Sequence, residues 1–78
     1  MRKKKKYVIL TFATTTAAIA TEKQCGIRKI PGRLIPLPGE ISAGCGLAWR
    51  MLPEEYECFR SQLEELGQEF QQIVELEL

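Results

Sequence analysis

The most distinctive chemical feature of this sequence is a cysteine between two glycines, Gly44-Cys45-Gly46. Because glycine has no side chain, another molecule can approach the sulfur, and the backbone can turn several N–H groups toward one point. Such an arrangement favours the thiolate, which is the nucleophile in thiol exchange. We therefore predict that Cys45 is the reactive residue of the chain. The same spacing also fits a small residue in a tight turn, and that alternative stays open.

Charged and polar side chains elsewhere in the sequence could support a thiolate at this position. Arg33 and Arg50 would supply positive charge if the loop that carries Cys45 folds back onto a sheet. We predict that five residues bind the substrate beside Cys45, namely Arg33, Ser42, Gly44, Gly46 and Arg50.

The other two cysteines have different surroundings. Cys25 lies just before Gly26 near the end of a predicted helix and is expected to be a buried small hydrophobic residue. Cys58 follows Glu57, and nearby carboxylates disfavour a thiolate there. An odd number of cysteines without a C-x-x-C motif argues against a disulfide framework and a zinc ribbon. Free thiols instead indicate a reducing compartment, and we predict a cytoplasmic protein.

Several residue types are missing altogether. The chain has no His, Asp or Asn, and all ten acidic residues are Glu. This excludes a Ser-His-Asp or Cys-His-Asn triad, a histidine metal site and an EF-hand within these residues. The glycines do not form a P-loop either. We expect neither an enzyme nor a bound metal or cofactor.

Charge is balanced overall but divided along the chain. Residues 1–50 hold ten Lys or Arg against two Glu, and residues 51–78 hold one Arg against eight Glu, so +8 and −7 give the net charge of +1. The two halves could attract each other or lie on separate solvated faces, and the basic half could instead bind an acidic partner. A net charge this low argues against non-specific nucleic-acid binding.

The first twenty residues imitate a signal peptide, with a basic start, an apolar stretch and Ala18-Ile19-Ala20. Cleavage there would remove the only strongly apolar β-branched run, Tyr7–Phe12, from a chain of 78 residues that needs it for its core. The stretch is also too short to span a bilayer. We interpret it as a strand followed by a helix, with Lys3–Lys6 as a solvated basic lead-in, and predict no membrane association.

Hydrophobic periodicity and terminator residues predict six elements. Thr14, Thr15 or Thr16 would cap the first helix, and Gly26 would end it. Pro53 would begin the second, whose apolar stripe contains Tyr56, Phe59, Leu63 and Leu66. The predicted elements are strand Tyr7–Phe12, helix Ala13–Cys25, an edge strand at Leu34-Ile35, strand Leu47–Leu52, the Pro53 helix ended by Gly67, and a strand around Val74–Leu78.

The order β-α-β-β-α-β predicts an α+β ferredoxin-like sandwich, with one antiparallel sheet and two helices on one face. Tyr7–Phe12 and Leu47–Met51 should be the central strands because they are the most continuously apolar runs. Residues 1–78 would form a single domain in which 1–5 are the lead-in. A core this small often needs help, so a homodimer is also considered.

Four stretches of the sequence together form a pattern that can be compared with known families: Tyr7–Phe12, Thr15-Thr16-Ala17, Gly32–Pro38 and Ile41–Ala48. The most specific part of this pattern pairs an Arg-Leu-Ile-Pro stretch with a Ser-Ala-Gly-Cys-Gly stretch. By this pattern the chain resembles the selenium/sulfur (Se/S) carrier protein-like family from Lys5 to about Val74.

This resemblance implies a small cytoplasmic carrier that holds a persulfide or selenopersulfide on Cys45. The donor would be a cysteine desulfurase or a selenocysteine lyase, and the acceptor a selenophosphate-forming enzyme. The alternative is an interaction or regulatory module of ferredoxin-like shape in which Cys45 has no chemical role.

Overall fold

A computed structural model describes residues 5–41, 45–67 and 70–78. The described elements are β1 (Lys6–Phe12), α1 (Thr15–Arg28), β2 (Arg33–Pro36), β3 (Leu47–Met51), α2 (Pro53–Glu65) and β4 (Phe70–Glu77). All six predicted elements are therefore present, in the predicted order.

The strands form one antiparallel sheet in the order β2-β3-β1-β4. The predicted ferredoxin-like fold is confirmed, with β1 and β3 at the centre. The strand around Leu34-Ile35 lies at an edge, as expected for a strand that ends in Pro36. Ile9 lies opposite Arg50 on one side and Val74 on the other, and this register decides which residues meet across the sheet.

Helix α1 begins as the threonines predicted. Thr14 is the N-cap, and its Oγ1 accepts a hydrogen bond from the Ala17 N–H at 3.1 Å. The predicted end at Gly26 is wrong. The helix continues to Arg28, and Lys29 takes the left-handed conformation at φ 58°. The Ile30 N–H donates to the Cys25 carbonyl at 2.8 Å and closes the helix there.

Helix α2 begins at Pro53, whose missing N–H costs nothing in the first turn. The Glu55 carboxylate accepts a hydrogen bond from the Leu52 N–H at 2.9 Å, which satisfies a backbone donor just ahead of the helix. The predicted apolar stripe faces the core: Leu63 is fully buried, and Tyr56, Phe59 and Leu66 pack around it. Gly67 follows with φ 72°.

The sheet buries apolar residues on both faces. Both helices cover one face, which we call the helix face; its buried core is formed by Val8, Leu10, Phe12, Ala18, Cys25, Ile30, Trp49, Met51 and Leu63. The opposite face carries a smaller cluster around Ile9, Ala48 and Ile41. Ile41 belongs to the loop between β2 and β3, so part of that loop folds onto the sheet and covers the face that the helices leave open.

Trp49 on the helix face packs directly over Gly32 at the start of β2. A β-carbon on Gly32 would lie 2.6 Å from Cε2 and 2.8 Å from Cζ2 of the indole, and its φ is +137°. Glycine is therefore required here for both space and backbone conformation.

No helix in the described ranges combines the length and the hydrophobicity that a bilayer span requires.

Candidate functional site

Cys45 lies where β3 begins, beside the end of β1. Its backbone N–H donates to the Phe12 carbonyl at 3.1 Å. The residue is partly exposed, and its side chain packs against the core of the helix face. Its sulfur is therefore held against the sheet while part of the residue reaches solvent. Because this N–H is already paired with Phe12, it cannot contribute to the predicted backbone anion site.

Gly46 gives the cysteine an open neighbour. It has φ 90°, a conformation that side-chain-bearing residues rarely adopt, and a β-carbon there would meet nothing within 4 Å. Its carbonyl accepts a hydrogen bond from the Leu37 N–H at 2.9 Å, which ties the strand start to the end of β2. Another molecule can therefore approach Cys45 beside Gly46, while the backbone at Gly46 is held in place by its hydrogen bond with Leu37. The predicted site residues Ser42 and Gly44 lie outside the described residues.

The N-terminus of α1 shares this end of the sheet, a relation that sequence reasoning missed. Cys45 bonds to Phe12, and the N-cap Thr14 comes two residues after Phe12. Cys45 and the first turn of α1 also both belong to the helix face, through Cys45 and Ala17. A helix N-terminus carries partial positive charge and favours anions nearby. The threonine run in the sequence predicted the helix start, but its position near Cys45 follows only from the tertiary structure.

Arg33 and Arg50 are brought together with each other but not with Cys45. They are directly opposite on β2 and β3. Arg50 pairs with Ile9, whereas Cys45 bonds to Phe12, which is about 10 Å farther along β1 at the usual rise of a strand. Arg50 shares the face of Ile9, and Cys45 packs against the opposite one. The expectation that these cations act on the Cys45 sulfur has no support in this arrangement.

Cys25 is buried as its position in the sequence predicted, whereas the low reactivity expected of Cys58 stays a prediction. Cys25 is fully buried in α1, and burial raises the pKa of its thiol from 9.0 to about 11. Cys58 is exposed on α2 among glutamates. Cys45 is intermediate in exposure, so accessibility alone does not separate it from Cys58.

No group of three or more Cys or Glu residues in the described ranges is arranged to hold a metal ion.

Comparison with known families decides the classification. The sequence profile of the family described as "Putative Se/S carrier protein-like" matches residues 6–75. The chain belongs to this family. The match extends from the start of β1 to within β4, so it includes the first five elements, most of β4 and Cys45.

No curated protein and no solved structure gives a significant match to the chain. The family description and the geometry around Cys45 are thus the two observations from which a function can be argued.

Proposed function

We propose that this Se/S carrier protein-like chain holds sulfur or selenium on Cys45 and passes it from a donor enzyme to an acceptor. The observation that carries the proposal is the position of Cys45: a partly exposed thiol at the start of β3, beside the open space at Gly46, in a chain of this family. A carrier needs a sulfur that two other proteins can reach in turn.

The transfer begins with the Cys45 thiolate and a persulfide on the donor. The thiolate attacks the outer sulfur of the donor persulfide, a new S–S bond forms at Cys45, and the donor cysteine leaves as a thiolate. The transferred sulfur keeps its proton, so one thiolate is consumed and one is released, and charge and electrons balance. Selenium in the outer position follows the same path. Attack by an acceptor nucleophile on the outer atom then restores the Cys45 thiolate.

In this role the protein is a transfer partner and not an enzyme. We infer that its donor is a cysteine desulfurase or a selenocysteine lyase, because both leave the chalcogen in a form that a thiolate can accept. A selenophosphate-forming enzyme is the corresponding acceptor. A reducing cytoplasm would keep three unpaired cysteines as thiols.

Intact-mass analysis after incubation with a cysteine desulfurase and cysteine tests the proposal. The wild type should gain the mass of one sulfur atom and lose it with excess reducing thiol. Cys45→Ser should gain none, since a serine hydroxyl cannot form a persulfide. Cys58→Ser is the matched control, because it removes the most exposed cysteine and should leave the adduct unchanged.

Two results would count against a carrier role. A wild type that accepts neither sulfur nor selenium from any persulfide donor would favour the interaction-module alternative. A Cys45→Ser protein with as much adduct as the wild type would assign the chemistry to another thiol.

A further inference from the structure

Two arginines face each other across the sheet at the end farthest from Cys45. Arg33 of β2 and Arg50 of β3 are directly paired, and Arg50 lies over the ring of Tyr7 with its guanidinium carbon 4.7 Å from the ring centroid. Within residues 5–41, 45–67 and 70–78 neither arginine forms a salt bridge. This cation–π contact holds the Arg50 guanidinium beside the Tyr7 ring, and its N–H groups can still donate to an acceptor.

A cavity of about 300 Å³ opens beside this pair. Lys5 adds a third cation to its wall. Apolar surface comes from Leu52, and among the described residues that line it the only acidic one is Glu55. The described residues that line it are Lys5, Tyr7, Gly32, Arg33, Arg50, Met51, Leu52 and Glu55.

Like charges directly opposite each other destabilise a sheet. The pairing of Arg33 with Arg50 therefore destabilises the unliganded protein. An anion bound between the two guanidinium groups would make the contribution of the pair to stability favourable. The Glu55 carboxylate offsets part of the positive charge, but it is oriented by its hydrogen bond from the Leu52 N–H. Among the described lining residues, three cations face one carboxylate, which gives this part of the cavity a net positive charge.

We propose that this cavity is a binding site for a phosphate-type dianion, separate from the Cys45 site. Guanidinium groups fit tetrahedral oxyanions because each presents two parallel N–H donors. The volume exceeds the needs of a bare phosphate and lies at the lower limit for small organic ligands. The apolar surface of Leu52 suits the organic part of a phosphomonoester, so the ligand class is a small phosphorylated molecule rather than the free ion.

Titration calorimetry at one low ionic strength tests this site with inorganic phosphate, phenyl phosphate and chloride as probes. One phenyl phosphate should bind per chain, more tightly than inorganic phosphate, and chloride should not compete at equal concentration. Arg33→Gln and Arg50→Gln should each weaken binding by about tenfold or more, the loss expected for a charged hydrogen-bond pair. Equal affinity for the two phosphates would overturn the organic ligand class, and the absence of saturable binding would overturn the site.

Two further variants separate a specific site from general charge effects. Arg28→Gln removes the same charge from the end of α1, outside the cavity, and should bind like the wild type. Glu55→Gln keeps an oxygen that can accept the Leu52 N–H but removes the negative charge, and should tighten binding by up to about fivefold. Equal weakening by Arg28→Gln and Arg33→Gln would reduce the effect to net charge and refute the site.

Thermal unfolding gives a readout that does not depend on calorimetry. Without a ligand, Arg33→Gln should unfold at the same temperature as the wild type or higher, since repulsion from Arg50 is relieved. With phenyl phosphate, the wild type should gain more stability than Arg33→Gln at the same ligand concentration. A variant that is markedly less stable without ligand would show that Arg33 has a structural role instead. Cys45→Ser should behave as the wild type in both conditions, so this test can fail or succeed independently of the carrier function.

Discussion

Cys25 is a thiol whose surroundings oppose ionisation. It has no exposed surface, and desolvation raises the pKa of its thiol from 9.0 to about 11. In the unfolded chain the thiol ionises near its ordinary value, while in the folded protein it stays neutral until a higher pH. The stability contributed by this group is therefore complete below pH 9 and is lost as the pH rises toward 11.

The first prediction follows from this difference in pKa. Between pH 8 and pH 11 the free energy of unfolding should fall by up to about 2 kcal/mol more in the wild type than in Cys25→Ala. Urea titrations of both proteins at several pH values measure it, and the variant subtracts the contributions of lysines and tyrosines. If the free energy of unfolding depends on pH in the same way in both proteins, the pKa of Cys25 is not raised by folding.

Thr21 provides the second prediction at the residue scale. It is fully buried in α1, and its hydroxyl makes no hydrogen bond with the described part of the chain. Valine has almost the same shape without the polar atom. Thr21→Val should raise the free energy of unfolding by about 1 kcal/mol, because a desolvated hydroxyl is removed. Thr21→Ala, which leaves a cavity, should instead lower it, and chemical denaturation distinguishes the two.

At the scale of elements, two glycines that look alike in the sequence have opposite roles. Gly26 lies inside α1, and a β-carbon there would meet nothing within 4 Å. Gly32 has a positive φ and lies under the Trp49 ring. The backbone of β2 depends on the second glycine, whereas α1 is only weakened by the first.

The third prediction compares their alanine variants. Gly26→Ala should stabilise the protein by about 1 kcal/mol, the usual difference between glycine and alanine within a helix. Gly32→Ala should destabilise it by about 2 kcal/mol or more, since it combines backbone strain with a steric clash. Thermal unfolding monitored by tryptophan fluorescence measures both changes. Similar effects of the two substitutions would contradict the assigned roles.

The elements were predictable because their signals are local. Apolar runs predicted the strands, the threonines at 14–16 predicted the start of α1 without deciding which of them is the cap, and Pro53 predicted the start of α2. The end of α1 was not predictable from Gly26, because backbone bonds from Lys29 and Ile30 close the helix three residues later. Local terminator residues are weaker than the tertiary packing of Ile30 in the core.

The site was only partly predictable. Cys45 could be singled out by its glycines, but its partners depend on strand register, which single residues do not reveal. Arg50 follows Cys45 by five residues, and β3 carries it about 10 Å beyond Leu47, away from the cysteine. The role of the loop residue Ile41 as cover for the open face also required the tertiary structure.

At the scale of the whole molecule, the basic half of the chain, residues 1–50, and the acidic half, residues 51–78, are joined by few salt bridges among the described residues. Within the described ranges, the salt bridge that joins the basic half to the acidic half is Arg28–Glu65 at 3.2 Å, between the ends of the two helices. Both side chains are substantially exposed, at 36% and 67%. Solvent screens such a pair strongly.

The fourth prediction is that this pair couples weakly. A double-mutant cycle with Arg28→Gln and Glu65→Gln should give a coupling energy below about 1 kcal/mol, which falls further in added salt. Denaturation of the four proteins at two salt concentrations measures it. A coupling of several kcal/mol would mean that the two halves are held together electrostatically after all.

The two edges of the sheet differ in how they could recruit another strand. β2 has four residues and ends in Pro36, which lacks a backbone donor, so it offers a poor template. β4 has eight residues, with Ile73, Val74 and Leu76 interrupted by Glu75 and Glu77. Repulsion between these carboxylates of neighbouring copies opposes edge-to-edge aggregation. The double variant Glu75→Val and Glu77→Val should therefore form β-rich aggregates that thioflavin fluorescence detects. The solubility of the protein would then depend on two side chains that take no part in either proposed site.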